Sequence, residues 1–210
     1  YDKSIKYYKK ALEMYNETEN YNKISQTLNR IGNLYIKKSD YVKALDYFKQ
    51  SKNVNTKNND QTGSAYSVMG QGKINYWLGN YDKALKQFLN CMDVANRNEI
   101  KNMKGDSKYF ISQIYLNKNM YKDAMLNINS AIKIVDNQKK LKSRLAKYYD
   151  CKGLIYKFKG NLDKAIDMHE KALSISKDIN DKHALRKYLS NIGLIYEEQA
   201  NFEQAIDIYA

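Results

Sequence analysis

A small residue returns along this chain at a nearly constant interval. It is Ser4, Ala44, Ala84, Ala124, Ala165 and Ala205, at spacings of 40, 40, 40, 41 and 40. Three residues before each stands an aromatic or Leu: Tyr1, Tyr41, Tyr81, Tyr121, Leu162 and Phe202. Four residues after come Tyr8, Phe48, Phe88, Ile128, His169 and Tyr209, and seven after come Ala11, Ser51, Cys91, Ala131 and Ala172. Offsets of three, four and seven share one helical face. A fixed period of this size marks a stacked-repeat protein, in which each unit buries its apolar face against its neighbours.

A second helix precedes each marker. Gly32, Gly72, Ser112, Gly153 and Gly193 lie twelve residues before the markers that begin at Ala44. Glycine inside a helix costs about 1 kcal/mol relative to alanine. Its return at one repeat position needs a packing reason, and the spacing predicts two antiparallel helices in close contact, small residue against small. The segment Leu28–Ser51 is the fullest copy, with its turn at Lys38-Ser39-Asp40.

Gly with Ile or Leu before it and Tyr three after, then Ala, an aromatic four later and a small residue three after that, resembles the tetratricopeptide repeat family. Residues 25–58 and 186–209 fit best, through Ile31-Gly32-Asn33-Leu34-Tyr35 and Ile192-Gly193-Leu194-Ile195-Tyr196. The resemblance implies an all-α fold, an α-solenoid of antiparallel helix pairs wound as a right-handed superhelix, with about eleven helices. The common repeat has about 34 residues, so these are about six longer. The chain contains no proline, although the family usually places one after the second helix. Asn75 stands where Tyr is expected, Ser112 replaces the Gly, and Gln71 and Lys152 replace the Leu. The longer period resembles a forty-residue subclass found in cell-polarity and motor adaptors and in regulatory regions of bacterial signalling proteins. HEAT-like repeats have a compatible length, but the Gly–Tyr–Ala–aromatic order argues against them.

One continuous array is expected over residues 1–210, because each repeat touches only its neighbours. Residues 1–16 read as the second helix of a truncated repeat. Full repeats are expected at 21–56, 61–96, 100–136 and 143–178, followed by a truncated repeat at 181–210. The exit loop of the first full repeat is expected at Asn55 to Asp60, and the loop near 137–142 absorbs the one-residue insertion. No polar capping repeat is visible at either end, so the chain is expected to continue both ways.

The balance of 36 basic against 23 acidic residues gives a net charge of +13. Acidic peptides, anionic lipid and nucleic acid all suit such a charge. Many lysines sit beside an aspartate, as at Asp82-Lys83 and Asp163-Lys164, which suits solvated helix faces. No apolar run approaches the eighteen or so residues a membrane span needs, so no membrane insertion is expected. Two cysteines sixty residues apart, Cys91 and Cys151, form no paired motif and suit a reducing compartment, hence the cytoplasm.

Few residues point to chemistry, and no catalytic, metal or cofactor site is expected. Gly70-Gln71-Gly72-Lys73 lacks the Gly and the Ser or Thr of a phosphate loop, with Ser67 and Ile74 in their places. His169 takes the position of Phe48 and Phe88 and reads as a packing residue; His183, near a helix start, reads as exposed. Fourteen residues apart, they have no ligand spacing. The run Lys139, Lys140, Lys142, Arg144, Lys147 is the densest cationic segment, but it carries no interleaved aromatics for stacking bases.

The family lines a concave groove with the first helix of each pair. The resemblance therefore assigns peptide binding to Gln26, Asn29, Asn33 and Lys37, then to Tyr66, Met69, Lys73, Tyr76 and Trp77. It continues through Tyr109, Gln113 and Asn117, then Lys147, Asp150, Lys157 and Phe158, and last Lys187, Ser190, Glu197 and Glu198. Aromatics beside Lys and Asn give contact area at low entropic cost. Packing of Tyr76 and Trp77 between repeats is the alternative. Asn29 stands where the cationic clamp of chaperone-binding members needs Lys, so recognition of a chaperone C-terminus is not expected. The reading is a non-enzymatic scaffold for a protein or peptide segment, an acidic one being compatible with the charge. The alternatives are a sensory region of a larger bacterial signalling protein, such as a histidine kinase, cyclase or transcription regulator, and a nucleic-acid binder working through the basic run.

Overall fold

The structure is a computed structural model and describes residues 1–209. Among these residues the secondary structure is helical throughout, with no strand. The order is α1 Asp2–Glu17, α2 Tyr21–Lys37, α3 Tyr41–Lys57, α4 Gln61–Trp77, α5 Tyr81–Arg97 and α6 Lys101–Asn117. It continues with α7 Tyr121–Val135, a short 3-10 turn at Lys139–Leu141, α8 Lys142–Phe158, α9 Leu162–Asp178, α10 Lys182–Glu198 and α11 Phe202–Tyr209. Adjacent helices pack in antiparallel pairs, the arrangement of an α-helical repeat solenoid of the tetratricopeptide type.

From α2 to α10 every helix has 17 residues except α7, which has 15. Turns of three residues join most of them, so the residues in excess of the common repeat lengthen helices rather than loops. The loop expected at Asn55 to Asp60 is correspondingly shorter. The helix α3 runs on to Lys57, and Asn55 is buried on it.

The nine three-residue turns share one construction. Its middle residue is left-handed: Glu19, Ser39, Asn59, Gly79, Glu99, Asn119, Gly160, Asn180 and Ala200 all have positive φ. The residue after it donates its N–H back into the helix, as from Asp40 to the Tyr35 carbonyl at 3.0 Å and from Asn80 to the Asn75 carbonyl at 2.8 Å. This closes the exposed carbonyls of the helix end. The following helix is then capped by Asn20, Asp40, Asp60 and Asp181, whose side chains accept the N–H three residues on. Only Gly79 and Gly160 meet the left-handed requirement without strain, since a Cβ there costs roughly 1–2 kcal/mol. Replacing Ser39 or Glu99 by Gly is therefore expected to stabilise the protein. The gain is about 0.5–1 kcal/mol after the added freedom of the unfolded chain is subtracted, and a higher urea midpoint would register it.

The chain forms two compact units, Tyr1–Met103 and from Lys104 onward. In the first, Ala44, Phe48 and Ile74 make a buried cluster flanked by Tyr35, Ile36, Tyr41 and Leu45. The repeated glycines belong to this packing, though not to the partner expected for them. A Cβ on Gly32 would fall 2.9 Å from Cζ of Phe48, and one on Gly72 would fall 2.9 Å from Cε1 of Phe88. The glycine thus makes room for the ring sixteen residues on, rather than for the small marker twelve residues on. Phe48 also fills the space beside Gly70, where a Cβ would meet its ring at 2.3 Å.

The second unit has a core of Ala124, Ile128, Ala131, Val135, Tyr148, Cys151 and Ile155, and another around Ala165, Ile166, Ile192 and Ile195. Here Gly153 faces the ring of His169, 2.8 Å from where its Cβ would lie. Ser112 replaces the glycine in the repeat where Ile128 replaces the ring, and its hydroxyl donates to the Ala124 carbonyl at 2.7 Å. No helix among the described residues is long and apolar enough to cross a membrane.

Candidate binding surfaces

In the first unit the positions assigned to the groove divide between surface and core. On α2, Asn33 and Lys37 are exposed. The Asn33 amide donates to the Asn29 carbonyl at 2.8 Å, while Oδ1 of Asn29 is buried without a hydrogen-bond partner. On α4, Tyr66 and Trp77 are exposed, and Lys73 and Tyr76 are half-buried. Trp77 stacks on Tyr41 at 6.2 Å and meets Tyr76 edge-on at 6.3 Å, yet keeps 44% of its surface open. Tyr76 also packs against Tyr81, at 5.9 Å. The Tyr66 hydroxyl accepts from the Asn102 amide at 3.2 Å. Met69 is placed in the core, 4% exposed, beyond the reach of a ligand on this face. Its position borders the buried stripe of α4, which carries Ala65, Gly72 and the neighbouring Ile74 inward.

In the second unit, Tyr109 stacks on Tyr148 at 5.3 Å, and the Gln113 amide donates to its hydroxyl at 3.0 Å. Asn117 and Lys147 are exposed, and Lys157 pairs with Glu198 at 3.1 Å. Asp150 is not a surface residue. It is 2% exposed, and its carboxylate accepts from Lys187 Nζ and from Asn191 Nδ2, both at 2.7 Å. The Nδ1 of the buried His169 lies 3.1 Å from its Oδ1, although neither ring nitrogen makes a well-aligned hydrogen bond. Burial pushes the Asp150 carboxyl up, but the imidazole and the Lys187 ammonium outweigh it and hold it below the usual carboxylate range. The same unit repeats the device at Asp106, which accepts from Arg144 Nε at 3.0 Å and from the Tyr148 hydroxyl at 2.8 Å.

Other residues singled out from the sequence fall into place on packing grounds. Cys91 and Cys151 are buried free thiols, both pushed up to about 12 by burial, so neither supplies a thiolate nucleophile. His169 is fully buried, rather than merely a packing residue at an apolar position, and His183 is exposed. Among the described residues no group of His, Cys, Asp and Glu is placed to hold a metal ion. Gly70 and Gly72 lie inside α4 and form no phosphate loop. In the basic run, Lys142 pairs with Asp178 at 3.2 Å and Arg144 with Asp106.

The first unit also carries a feature outside the groove positions assigned from the sequence. A cleft of about 700 Å³ opens between α3 and α5 over the floor of α4. At 100° per residue, Ser64, Val68 and Gln71, three of the α4 residues that line it, lie opposite the stripe of Tyr66, Lys73 and Trp77. Its signal in the sequence is a pair of departures from the repeat pattern, Gln71 and Asn75. They are one turn apart, and both bond to Gln87 on α5. The Asn75 amide donates to its carbonyl oxygen at 2.8 Å, and its own amide nitrogen lies 3.4 Å from the Gln71 oxygen.

The tetratricopeptide repeat family matches residues 1–57 and 144–210, more than half of the chain. No curated protein sequence matches it. Among solved structures it is similar to BtubC (BKLC) from P. vanneervenii, at 17% identity and a TM-score of 0.77, over 99% of this chain and 87% of that one. It is also similar to a Rap protein complexed with competence and sporulation factor, at 15% identity and a TM-score of 0.77, over 89% and 56% of the two chains. A third is the Rap conjugation gene regulator of the plasmid pLS20 in complex with the Phr* peptide, at 16% identity and a TM-score of 0.76, over 90% and 51%. The chain thus spans about half the length of these two Rap proteins.

Proposed function

The chain belongs to the tetratricopeptide repeat family, and from that premise we propose that it is a non-enzymatic module that binds a segment of another protein. The observation that carries this reading is the exposed face of α4 in the first unit. Trp77 is stacked on Tyr41 and keeps 44% of its surface exposed, and the exposed Tyr66 shares its stripe. A large aromatic held in place before its partner arrives loses little entropy on binding. Two of the similar structures hold a factor or peptide, which supports this class of ligand. The buried thiols and the enclosed His169 leave little for catalysis to work with, and free thiols suit a cytoplasmic setting.

A second reading is favoured by length. The chain matches about half of the two Rap proteins, which fits the sensing part of a larger signalling protein whose output lies in another segment. Nucleic-acid binding through residues 139–147 is the weakest of the three, because Lys142 and Arg144 are already held by Asp178 and Asp106.

The test is selection of a displayed random peptide library on the immobilised chain. The parent is expected to enrich a consensus peptide, and Tyr66→Ala/Trp77→Ala to bind that peptide about tenfold or more weakly. Both residues are exposed, so the variant keeps its helicity. Undiminished binding by the variant would move the site off α4.

A further inference from the structure

We infer that the cleft between α3, α4 and α5 is a second ligand site, separate from the Trp77 face, and that it takes an acidic stretch of extended polypeptide. The cleft is floored by side-chain amides where the preceding repeat carries apolar and aromatic residues. At the matching positions the preceding repeat holds the buried Ile31 and Tyr35, which stacks on Tyr47 at 5.5 Å. Forty residues on, those three positions hold Gln71, Asn75 and Gln87. Exchanging apolar and aromatic side chains for amides gives up apolar burial and brings polar groups that must be satisfied. Local rules broken together in one repeat point to function rather than to folding.

The cleft is also cationic. Lys52 on α3 and Lys83, Lys86 and Arg97 on α5 line the cleft. The positions matching Lys52 and Lys86 in the preceding repeat are Leu12 and Asp46. Among the described residues, Lys52, Lys83 and Lys86 make no ion pair. The one acid in the lining, Asp60, is committed to capping α4 through the Gly63 N–H at 2.8 Å. The cleft therefore presents cations without counter-charge above a floor of amides.

Geometry selects among anions. Lys83 and Arg97 are separated by about 20 Å along α5 at 1.5 Å per residue. A single phosphate cannot bridge them, whereas an extended peptide covers that span in about six residues. Side-chain amides such as those of Gln71, Gln87 and Asn90 can pair with peptide N–H and C=O groups. No aromatic side chain lines the cleft, so it offers no platform for stacking nucleic-acid bases. A volume of about 700 Å³ lies within the range of ligand sites.

The experiment measures fluorescence anisotropy of a labelled octapeptide of Glu, Asp and Ser with the 210-residue chain. Its Gln/Asn counterpart and a labelled oligothymidylate of similar charge serve as comparison probes. Lys83→Glu/Lys86→Glu is expected to weaken the acidic peptide by about tenfold or more, with circular dichroism unchanged because both side chains are exposed. Lys139→Glu/Lys140→Glu, which makes the same change in net charge elsewhere, is expected to leave it within about twofold, as is Tyr66→Ala/Trp77→Ala. The inference is overturned by equal losses in the two charge variants, by loss in the Tyr66/Trp77 variant alone, or by equal binding of the uncharged peptide. Tighter binding of the oligothymidylate, or no binding of the acidic peptide, also overturns it. Because the Trp77 face is tested by its own variant, either reading can fail without the other.

Discussion

Replacing Phe48 by alanine is expected to cost the first unit about 3–5 kcal/mol, the range for deleting a buried aromatic ring. Phe48 is 1% exposed, and its ring fills the space left by two glycines, Gly32 on α2 and Gly70 on α4. Neither glycine has a side chain that can move into the void, so relaxation is limited and the cost falls toward the upper end. The opposite error, Gly70→Ala, drives a methyl into the ring and is expected to cost about 1–3 kcal/mol. Trp77 is the sole tryptophan of the chain and lies in this unit, so urea titration followed by its fluorescence reports the unit directly. Phe48→Leu keeps much of the volume and should lose markedly less than the alanine variant. Equal midpoints for the parent and Phe48→Ala would mean that the ring is not a keystone.

The second large effect belongs to Asp150 in the other unit. Asp150→Ala removes the common acceptor of Lys187 and Asn191 and leaves His169 buried without its carboxylate. Losing the partner of a fully buried ion costs about 3–5 kcal/mol, but Lys187 is half-exposed and can return to water. A loss of about 2–3 kcal/mol is therefore expected, seen as faster amide hydrogen exchange in α8, α9 and α10. A pH dependence follows. The folded carboxyl lies below its unfolded value, so its contribution is fully present above the unfolded value near pH 4 and is lost as pH falls through the folded one. The parent is expected to lose stability below about pH 4 more steeply than Asp150→Asn, which has no proton to take up. Parallel acid profiles would show that the carboxylate is not stabilised by its neighbours.

The helical period was legible because it is a local signal, repeated often enough to be unmistakable, and family membership followed from the same residues. Partners across helices were harder to read. The glycines were correctly tied to packing, but a one-dimensional spacing does not tell whether the facing residue is twelve or sixteen positions on; the arc of the side chain decides, and a phenyl ring reaches farther than a methyl. Asp150 and Met69 were assigned to the surface by counting repeat positions, which treats every copy as equivalent. The copy holding Asp150 also holds His169 in place of a ring, and its cationic partner is 37 residues downstream. A histidine at an apolar position was visible in the sequence, and its need for a carboxylate could have been inferred from it. The cleft escaped for a similar reason. Gln71 and Asn75 are single departures in the sequence, and only the fold brings both onto Gln87, beside the cleft.

The uniform turn has a consequence for how such a chain can change. Since nine of the ten joints between helices are the same left-handed turn, a gene segment of one whole period, duplicated or excised in frame, would recreate joints the chain already knows how to make. Unequal recombination is therefore a gentle operation here, altering the length of the array without inventing a new corner. The stretch between Val135 and Lys142, where α7 stops two residues short and a 3-10 turn intervenes, is an exception to that metre. A crossover there would carry its irregularity into the copy, so this joint should act as a fingerprint by which a duplicated repeat betrays its parent.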